Sequence, residues 1–192
     1  PVTGHYQSTN HRISFAAPLG LPARALPIDP YVLRVWLGDG DLDCARIAVA
    51  DDDAEILGHV AACGVAVGDR KTTTRTPRYR LGGTSGSGSG TSTSLNTVLR
   101  REGLLKTQKH IPSAYLRSSV EQRLALLQGL MDTDGYIAPD TGACEFCSTD
   151  EPLASGVRDL IVSLGIKCNI HESAAKLYGR EVSRRWRIMF HP

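Results

Sequence analysis

The sequence predicts an α+β fold built from two copies of one α-β-β-α-β-β unit, and three observations carry that expectation. An apolar helical stretch ends in Asp-Gly twice. It does so at Val32-Leu33-Arg34-Val35-Trp36-Leu37-Gly38-Asp39-Gly40 and at Leu127-Gln128-Gly129-Leu130-Met131-Asp132-Thr133-Asp134-Gly135. After each stretch the order is strand, acidic turn, helix closed by glycine, and strand. Each copy then reaches a strand alternating arginine with apolar residues, Arg78-Tyr79-Arg80-Leu81 and Arg185-Trp186-Arg187-Ile188. The copies are related by pattern rather than by identity.

Residues 1–30 carry Pro18, Pro22, Pro27 and Pro30 after a short β-like piece from His11 to Ala17, and read as an arm or lead-in. Asp29-Pro30 opens a helix, with an acid at the cap and proline at the first helical position, and Gly38-Asp39-Gly40 ends it after Leu37. A strand over Ala45 to Ala50, the turn Asp51-Asp52-Asp53 and a helix over Ala54 to Ala62 follow. Cys63-Gly64 closes that helix and Val65 to Val67 resumes a strand. Gly82 to Ser94 is nearly pure Gly/Ser/Thr, a flexible loop by composition. A helix over Leu95 to Arg101 precedes Gly103. Ser119 or Ser118 then caps the helix that ends in the second motif, with Gln122 or Glu121 as the reciprocal partner.

In the second copy a strand over Cys144 to Ser148 leads to the turn Asp150-Glu151-Pro152 and a helix over Leu153 to Ser163. Leu164-Gly165 closes that helix, and Ile166 to Ile170 forms a strand. The second copy is the longer, by a wider turn around Ala138 to Ala143. The expected organisation is a lead-in over 1–30, a first half over 31–104 including the loop 82–94, and a second half over 105–192.

Composition is that of a soluble globule, and no apolar run approaches the ~20 residues that span a bilayer. Five cysteines at irregular spacing suggest no disulfide framework and point to a reducing, cytoplasmic setting. Cys144 and Cys147 do not suggest structural zinc: an extended chain turns residues three apart to opposite faces, and no second ligand pair follows. A first residue that is Pro rather than Met suggests a processed, excised or trimmed piece. Net charge is only +2, yet its distribution is uneven. Arg and Lys gather at 70–80, 100–109 and 176–187, acids at 39–53 and 132–151, so phosphate and metal have separate places to bind.

An Asp at a helix C-terminus faces carbonyls already partly negative, which is locally unfavourable unless a cation belongs there. Gly135 suits the helix stop through positive φ. Two such helices packed side by side, with Gly129 and Thr133 as the small residues of the second, bring Asp39 and Asp134 together. Such a dyad shares a proton or binds a divalent metal. Hard oxygen ligands suit Mg²⁺, which takes phosphate as a further ligand, and paired acids holding metal on phosphate are an arrangement for phosphodiester hydrolysis. In the alternating strands Arg78/Arg80 and Arg185/Arg187 each share one face, leaving a row of guanidinium groups suited to phosphate and to the guanine edge. The wider basic set expected to meet DNA is Arg46, Arg70, Lys71, Arg75, Arg78, Arg80, Lys176, Arg180, Arg185 and Arg187.

Each signal has a plain reading. Acids beside glycine are commonly turns, and arginine strands are often solvated faces. A calcium loop fails because Ala50 and Ala143 stand where the bidentate Glu belongs. His59, His171 and His191 lack partners at ligand spacing and read as structural or surface residues. What favours function is that motif, basic strand and order are all duplicated.

At these residues the chain resembles the LAGLIDADG homing endonucleases. Leu127 to Gly135 matches the motif, Val32 to Gly40 looks like the first-motif variant of intein-embedded members, and Lys109-His110-Ile111-Pro112 is similar to their Lys-x-Ile-Pro block. The resemblance implies a monomer of two pseudo-symmetric halves, with saddle-like antiparallel sheets and two central motif helices. It implies a metal-dependent enzyme that cuts long double-stranded DNA sites and leaves 3′ overhangs. Asp39 and Asp134 carry over as metal-binding acids, with help from the carbonyls of Gly38 and Thr133, and Lys109 as the basic residue near the reactive water. Mg²⁺ is the implied ion, with Ca²⁺ able to occupy the site without cleavage. Lys71 and Lys176 are the candidates for a second lysine. A DNA-binding relative that has lost cleavage, a maturase or regulator, is the alternative.

The chain departs from the family at three points. It shows no leading Cys or Ser nucleophile and no terminal His-Asn pair, so it looks like an endonuclease insert without its splicing host. Arg34 stands where the family has Gly, on the helix-packing face. It is expected to shift the helix register or weaken activity, so that Arg34→Gly raises the melting temperature. Leu37 stands where the second motif has Asp132, which leaves Asp132 a helix-end role.

Overall fold

The computed structural model describes residues 16–71, 76–82 and 94–192. The first half runs α1 (Pro30–Asp39), β1 (Arg46–Ala48), a 3₁₀ turn over Asp51–Asp53, α2 (Glu55–Ala62), β2 (Val67–Lys71), β3 (Arg78–Leu81) and α3 (Leu95–Arg101). The second runs α4 (Ser113–Leu116), α5 (Val120–Asp134), β4 (Gly135–Ile137), β5 (Cys144–Ser148), α6 (Glu151–Ser163), β6 (Cys168–Leu177) and β7 (Arg180–Phe190). The result is the expected α+β fold with two antiparallel sheets, ordered β1-β3-β2 and β4-β5-β7-β6. Gly40 bridges Ile47 as Gly135 pairs Phe146, so the first sheet carries a one-residue vestige of β4.

Local chemistry accounts for the helix starts. The Asp29 side chain accepts from Tyr31 N–H at 2.8 Å, leaving Pro30 at the first helical position. Ser119 and Gln122 form a reciprocal capping box on α5. Both motif helices run to their aspartates and stop at glycine, but Gly40 (φ −79°) and Gly135 (φ −94°) are extended rather than left-handed. Space, not positive φ, requires glycine: a Cβ at Gly40 would strike the Trp36 carbonyl, and one at Gly135 the Met131 carbonyl. Positive φ serves instead at Gly64, Gly103 and Gly165, and in the Tyr178-Gly179 turn joining β6 to β7.

Other differences from expectation have equally local causes. β2 starts at Val67, two residues late, and β6 continues to Leu177 because β7 offers a partner along that whole length. β4 is too short, and α4 too brief, to show as periodicity. Residues 11–15 of the expected first strand lie outside the described residues, and Ala16 and Ala17 are not in a strand. Of the Gly/Ser/Thr loop, residues 83–93 also lie outside them. The lead-in is bonded to the second half: Arg24 N–H donates to Gln122 Oε1 (3.0 Å) and Ile28 N–H to the Tyr115 hydroxyl (3.0 Å).

The core is one continuous apolar cluster that includes Val32, Leu33, Val35, Trp36 and Leu37 of α1 and Leu126, Leu127 and Leu130 of α5. The two helices approach closely at two levels four residues apart. Gly38 lies against the Thr133 side chain, and Gly129 against the Arg34 guanidinium. The four-residue steps match on the two helices, so Arg34 and Gly129 meet one turn before the Gly38–Thr133 contact. Among the described residues no helix is long and apolar enough to cross a membrane. Cys144 and Cys147 do point to opposite faces of β5, the first paired with Phe190 and the second with Arg187.

Candidate metal and nucleic-acid site

Asp39 and Asp134 end α1 and α5 at the level where Gly38 and Thr133 touch, so the helix pair presents both carboxylates at one end. Each is open to water by surface area yet ringed by protein, and the ringing governs its proton affinity. Burial raises the Asp39 pKa, opposed by Lys109 and reinforced by Asp53. Asp134 is pushed up to about 6 by burial and then by Asp39, again opposed by Lys109. Two acids that each resist ionisation are a site short of positive charge.

Lys109 supplies part of that charge. Its Nζ donates to the Gly38 carbonyl oxygen at 2.8 Å and lies 5.9 Å from the Trp36 ring centre. Burial lowers its pKa, while Asp134, Asp150, Asp39 and Asp41 pull it back up. Beside this group opens a cleft of about 350 Å³, lined among others by Lys109, Asp134, Ser148, Thr149, Asp150 and Arg185. Asp150 is the site residue that sequence reasoning passed over, reading it only as part of an acidic turn. Its signal was the duplication itself, since Asp51-Asp52-Asp53 occupies the same step of the first copy.

These donors fit a hard divalent ion. Among the described residues no three His, Cys, Asp or Glu side chains converge. Protein carboxylates therefore fill two positions, and carbonyls, water and phosphate oxygens are left for the rest, as Mg²⁺ prefers. The Gly38 carbonyl is already an acceptor for Lys109, and the Thr133 carbonyl belongs to the last turn of α5, where no helical donor follows.

Around this centre the basic residues divide. Register puts Arg46 opposite Arg80 and Lys71 opposite Arg78, so these four share the outward face of the first sheet. Arg70 does not join them. A bulge sets it opposite Tyr79, and it pairs with Asp51 at 2.9 Å. Arg185 and Arg187 share the outward face of the second sheet, and Arg180 is the first residue of β7, exposed beside the β6–β7 turn. Lys176 belongs to β6, and Arg75 lies outside the described residues. The expected open row of guanidinium groups is partly closed by acids. Asp41 holds Arg78 and, at 3.5 Å, Arg46, while Glu145 holds Arg187 through two bonds of 2.7 and 2.5 Å.

The registers also correct the sequence echo. Tyr79 pairs Ile47 as Ile188 pairs Phe146, so Arg78 corresponds to Arg187 and Arg80 to Met189. Arg-Tyr-Arg-Leu and Arg-Trp-Arg-Ile are therefore out of step by two residues. That slip keeps the face and changes the position.

Arg34 is fully buried at the helix interface. Its Nη2 donates to Asp132 at 3.2 Å and its guanidinium lies 3.8 Å from the Tyr31 ring centre, but Nε and Nη1 have no partner among the described residues. Burial lowers its pKa, with Tyr31 and Asp132 opposing. Asp132 thus serves Arg34, from a side chain 58% exposed.

Residues 121–189 match the LAGLIDADG-like domain family. A likeness of fold to solved structures extends beyond them. A structure of mesophilic variants of the homing endonuclease I-DmoI shares the fold at a TM-score of 0.55 and 11% identity, over 84% of this chain and 87% of that one. I-DmoI in complex with DNA and Ca matches at a TM-score of 0.55 and 11% identity, over 84% and 81%. An I-DmoI variant in complex with its target DNA in the presence of Mg gives 0.53 and 12%, over 84% and 87%. In sequence, the replicative DNA helicase DnaB of Mycobacterium intracellulare is 37% identical over 174 residues, 91% of this chain but 25% of that protein. The chain therefore spans about a quarter of that relative's length.

Proposed function

We propose that this chain is a site-specific, divalent-metal-dependent endonuclease of double-stranded DNA, hydrolysing phosphodiesters to leave 3′ overhangs, and that it is the endonuclease part of an intein. The observation that carries the reading is the aspartate pair at adjacent helix ends, each acid resisting ionisation without a cation. I-DmoI, which shares the fold, is seen with DNA and with Ca or Mg. The match over 91% of this chain to only 25% of a DnaB helicase supports an insert within a host protein.

Asp39 and Asp134 would hold the ion, with the Gly38 and Thr133 carbonyls beside them. An ion there supplies charge neutralisation at the phosphate and a water of lowered pKa. Lys109 holds its ammonium on the Gly38 carbonyl, and its lowered pKa eases release of a proton from Nζ to a developing alkoxide. The Gly38–Thr133 contact holds the two helix ends side by side, which would present both acids to one phosphate. The outward arginines of both sheets give the duplex its electrostatic grip.

Arg34 favours the second reading, a DNA-binding protein without cleavage, because a strained cation lies in the interface that sets the acids' separation. The test is incubation with a library of candidate junction duplexes in Mg²⁺ and in Ca²⁺. Cleavage in Mg²⁺ that disappears in Asp134→Asn supports the enzyme. Retention of duplex without cutting in any metal supports the second reading.

A further inference from the structure

The two sheet faces that would receive DNA are not chemical copies of each other. With Gly40 opposite Ile47 as Gly135 is opposite Phe146, Arg46 corresponds to Glu145, Arg80 to Met189, Lys71 to His171 and Asp41 to Tyr136. The first face therefore presents Arg46, Lys71, Arg78 and Arg80, with Asp41 between two of them. On the second, Glu145 engages Arg187 with both carboxylate oxygens, Arg185 lies next along the same face, and the other neighbours are Tyr136, His171, Ser173 and Met189. Two of those are apolar and open: Tyr136 is 61% and Met189 42% exposed, on the same face as Arg187.

Base edges in the major groove match this division. Guanine offers O6 and N7 to an arginine fork, while thymine offers a methyl group to an apolar side chain. We infer that the target duplex is unequal about its centre, with guanine-containing pairs over the first sheet read by Arg80, and thymine methyls over the second read by Met189 and Tyr136. The inference rests on the DNA reading above and deepens it by naming the base chemistry of each half. The first face also carries the larger group of cations, Arg46, Lys71, Arg78 and Arg80 with one acid, against Arg185 and Arg187 with one acid on the second. Salt dependence should therefore reside mainly there, each lost phosphate contact lowering the slope by about 1.

The experiment is selection of duplexes from a randomised pool by the full chain in Ca²⁺, repeated with Arg80→Gln, Arg80→Lys and Met189→Ala, all at exposed or half-exposed strand positions. Enriched duplexes should carry guanine to one side of the centre and thymine to the other. Arg80→Gln should abolish the guanine preference, weakening binding of selected duplexes roughly 5- to 150-fold, and Arg80→Lys should weaken it less because an ammonium still donates to O6 and N7 without the planar fork. Only Arg80→Gln should flatten the salt dependence. Met189→Ala should relax the opposite half and leave the salt slope unchanged. Halves of equal composition, or both substitutions relaxing the same half, would overturn the inference while the DNA reading stands. Failure of the unaltered chain to retain any duplex would overturn both.

Discussion

The first and second halves put an aspartate at the same place and surround it by opposite means. Two residues beyond Asp39 stands Asp41, an acid that holds Arg46 and Arg78. Two residues beyond Asp134 stands Tyr136, and the acid comes instead from β5, as Glu145 holding Arg187. The motif helices differ likewise. α5 places Asp132 where α1 has Leu37, and α1 places Arg34 against Gly129. Each helix supplies what the other lacks, so the pair is complementary rather than duplicated. Among the described residues two arginines are fully buried, and they show how far such complementarity goes. Arg123 donates to the carbonyls of Ser118, Ser163 and Leu19, whereas Arg34 keeps two nitrogens without partners among the described residues. An arginine served by fixed carbonyls is structural, and one served by a half-exposed carboxylate is a strain left in place.

The largest expected effect tests whether the two aspartates are equal. Asp39→Asn and Asp134→Asn should each lower cleavage by more than about 100-fold, the scale of losing one preorganised charge-stabilising group. Each should also abolish the rise in melting temperature that Mg²⁺ gives the unaltered chain. Retention of either effect in one variant would make the site one-sided.

Next in size is the Arg34–Asp132 pair. Asp132→Asn should destabilise by about 1–2 kcal/mol, less than for a fully buried pair because Asp132 is largely solvated. Arg34→Met keeps volume and removes the unpartnered nitrogens, so it should stabilise by about 1 kcal/mol or more, read by denaturant melts. Arg34→Gly is the less clean probe, because removing so large a side chain opens a void against Gly129.

The pH dependence is smaller. Asp134 has a folded pKa of about 6 against an ordinary 3.8, so its contribution to stability is full below pH 3.8 and is lost as pH rises through 6. Without metal, the melting temperature should fall across that window, and Asp134→Asn should flatten the fall. Smallest of all, Glu145→Gln should release Arg187 and steepen the salt dependence of DNA binding. An unchanged slope would mean that Glu145 does not restrain Arg187 in solution.

Much of the fold was legible because its signals are local. Asp29-Pro30 and the Ser119/Gln122 box are contacts within one turn of chain, and the strands at Arg78–Leu81 and Cys144–Ser148 alternate as half-buried strands must. The glycines at 40 and 135 were legible as helix stops but not in their reason, since the crowding comes from the preceding turn's carbonyl rather than from φ. The two-residue slip between the arginine strands was hidden because both registers put arginine on the same face. Only pairing with β1 and β5 distinguishes Arg80 from Arg187.

The sequence by itself determined that two helices end in acid, that basic strands follow each, and that Lys109 precedes the second. These are matters of order and period, which the chain carries along its length. Tertiary structure alone decided that Lys109 rests on Gly38, that Asp132 answers Arg34 across the helix pair, and that acids cover part of the arginine face. Those contacts join residues far apart in the chain, and no local pattern encodes the distance between two side chains until the helices have packed.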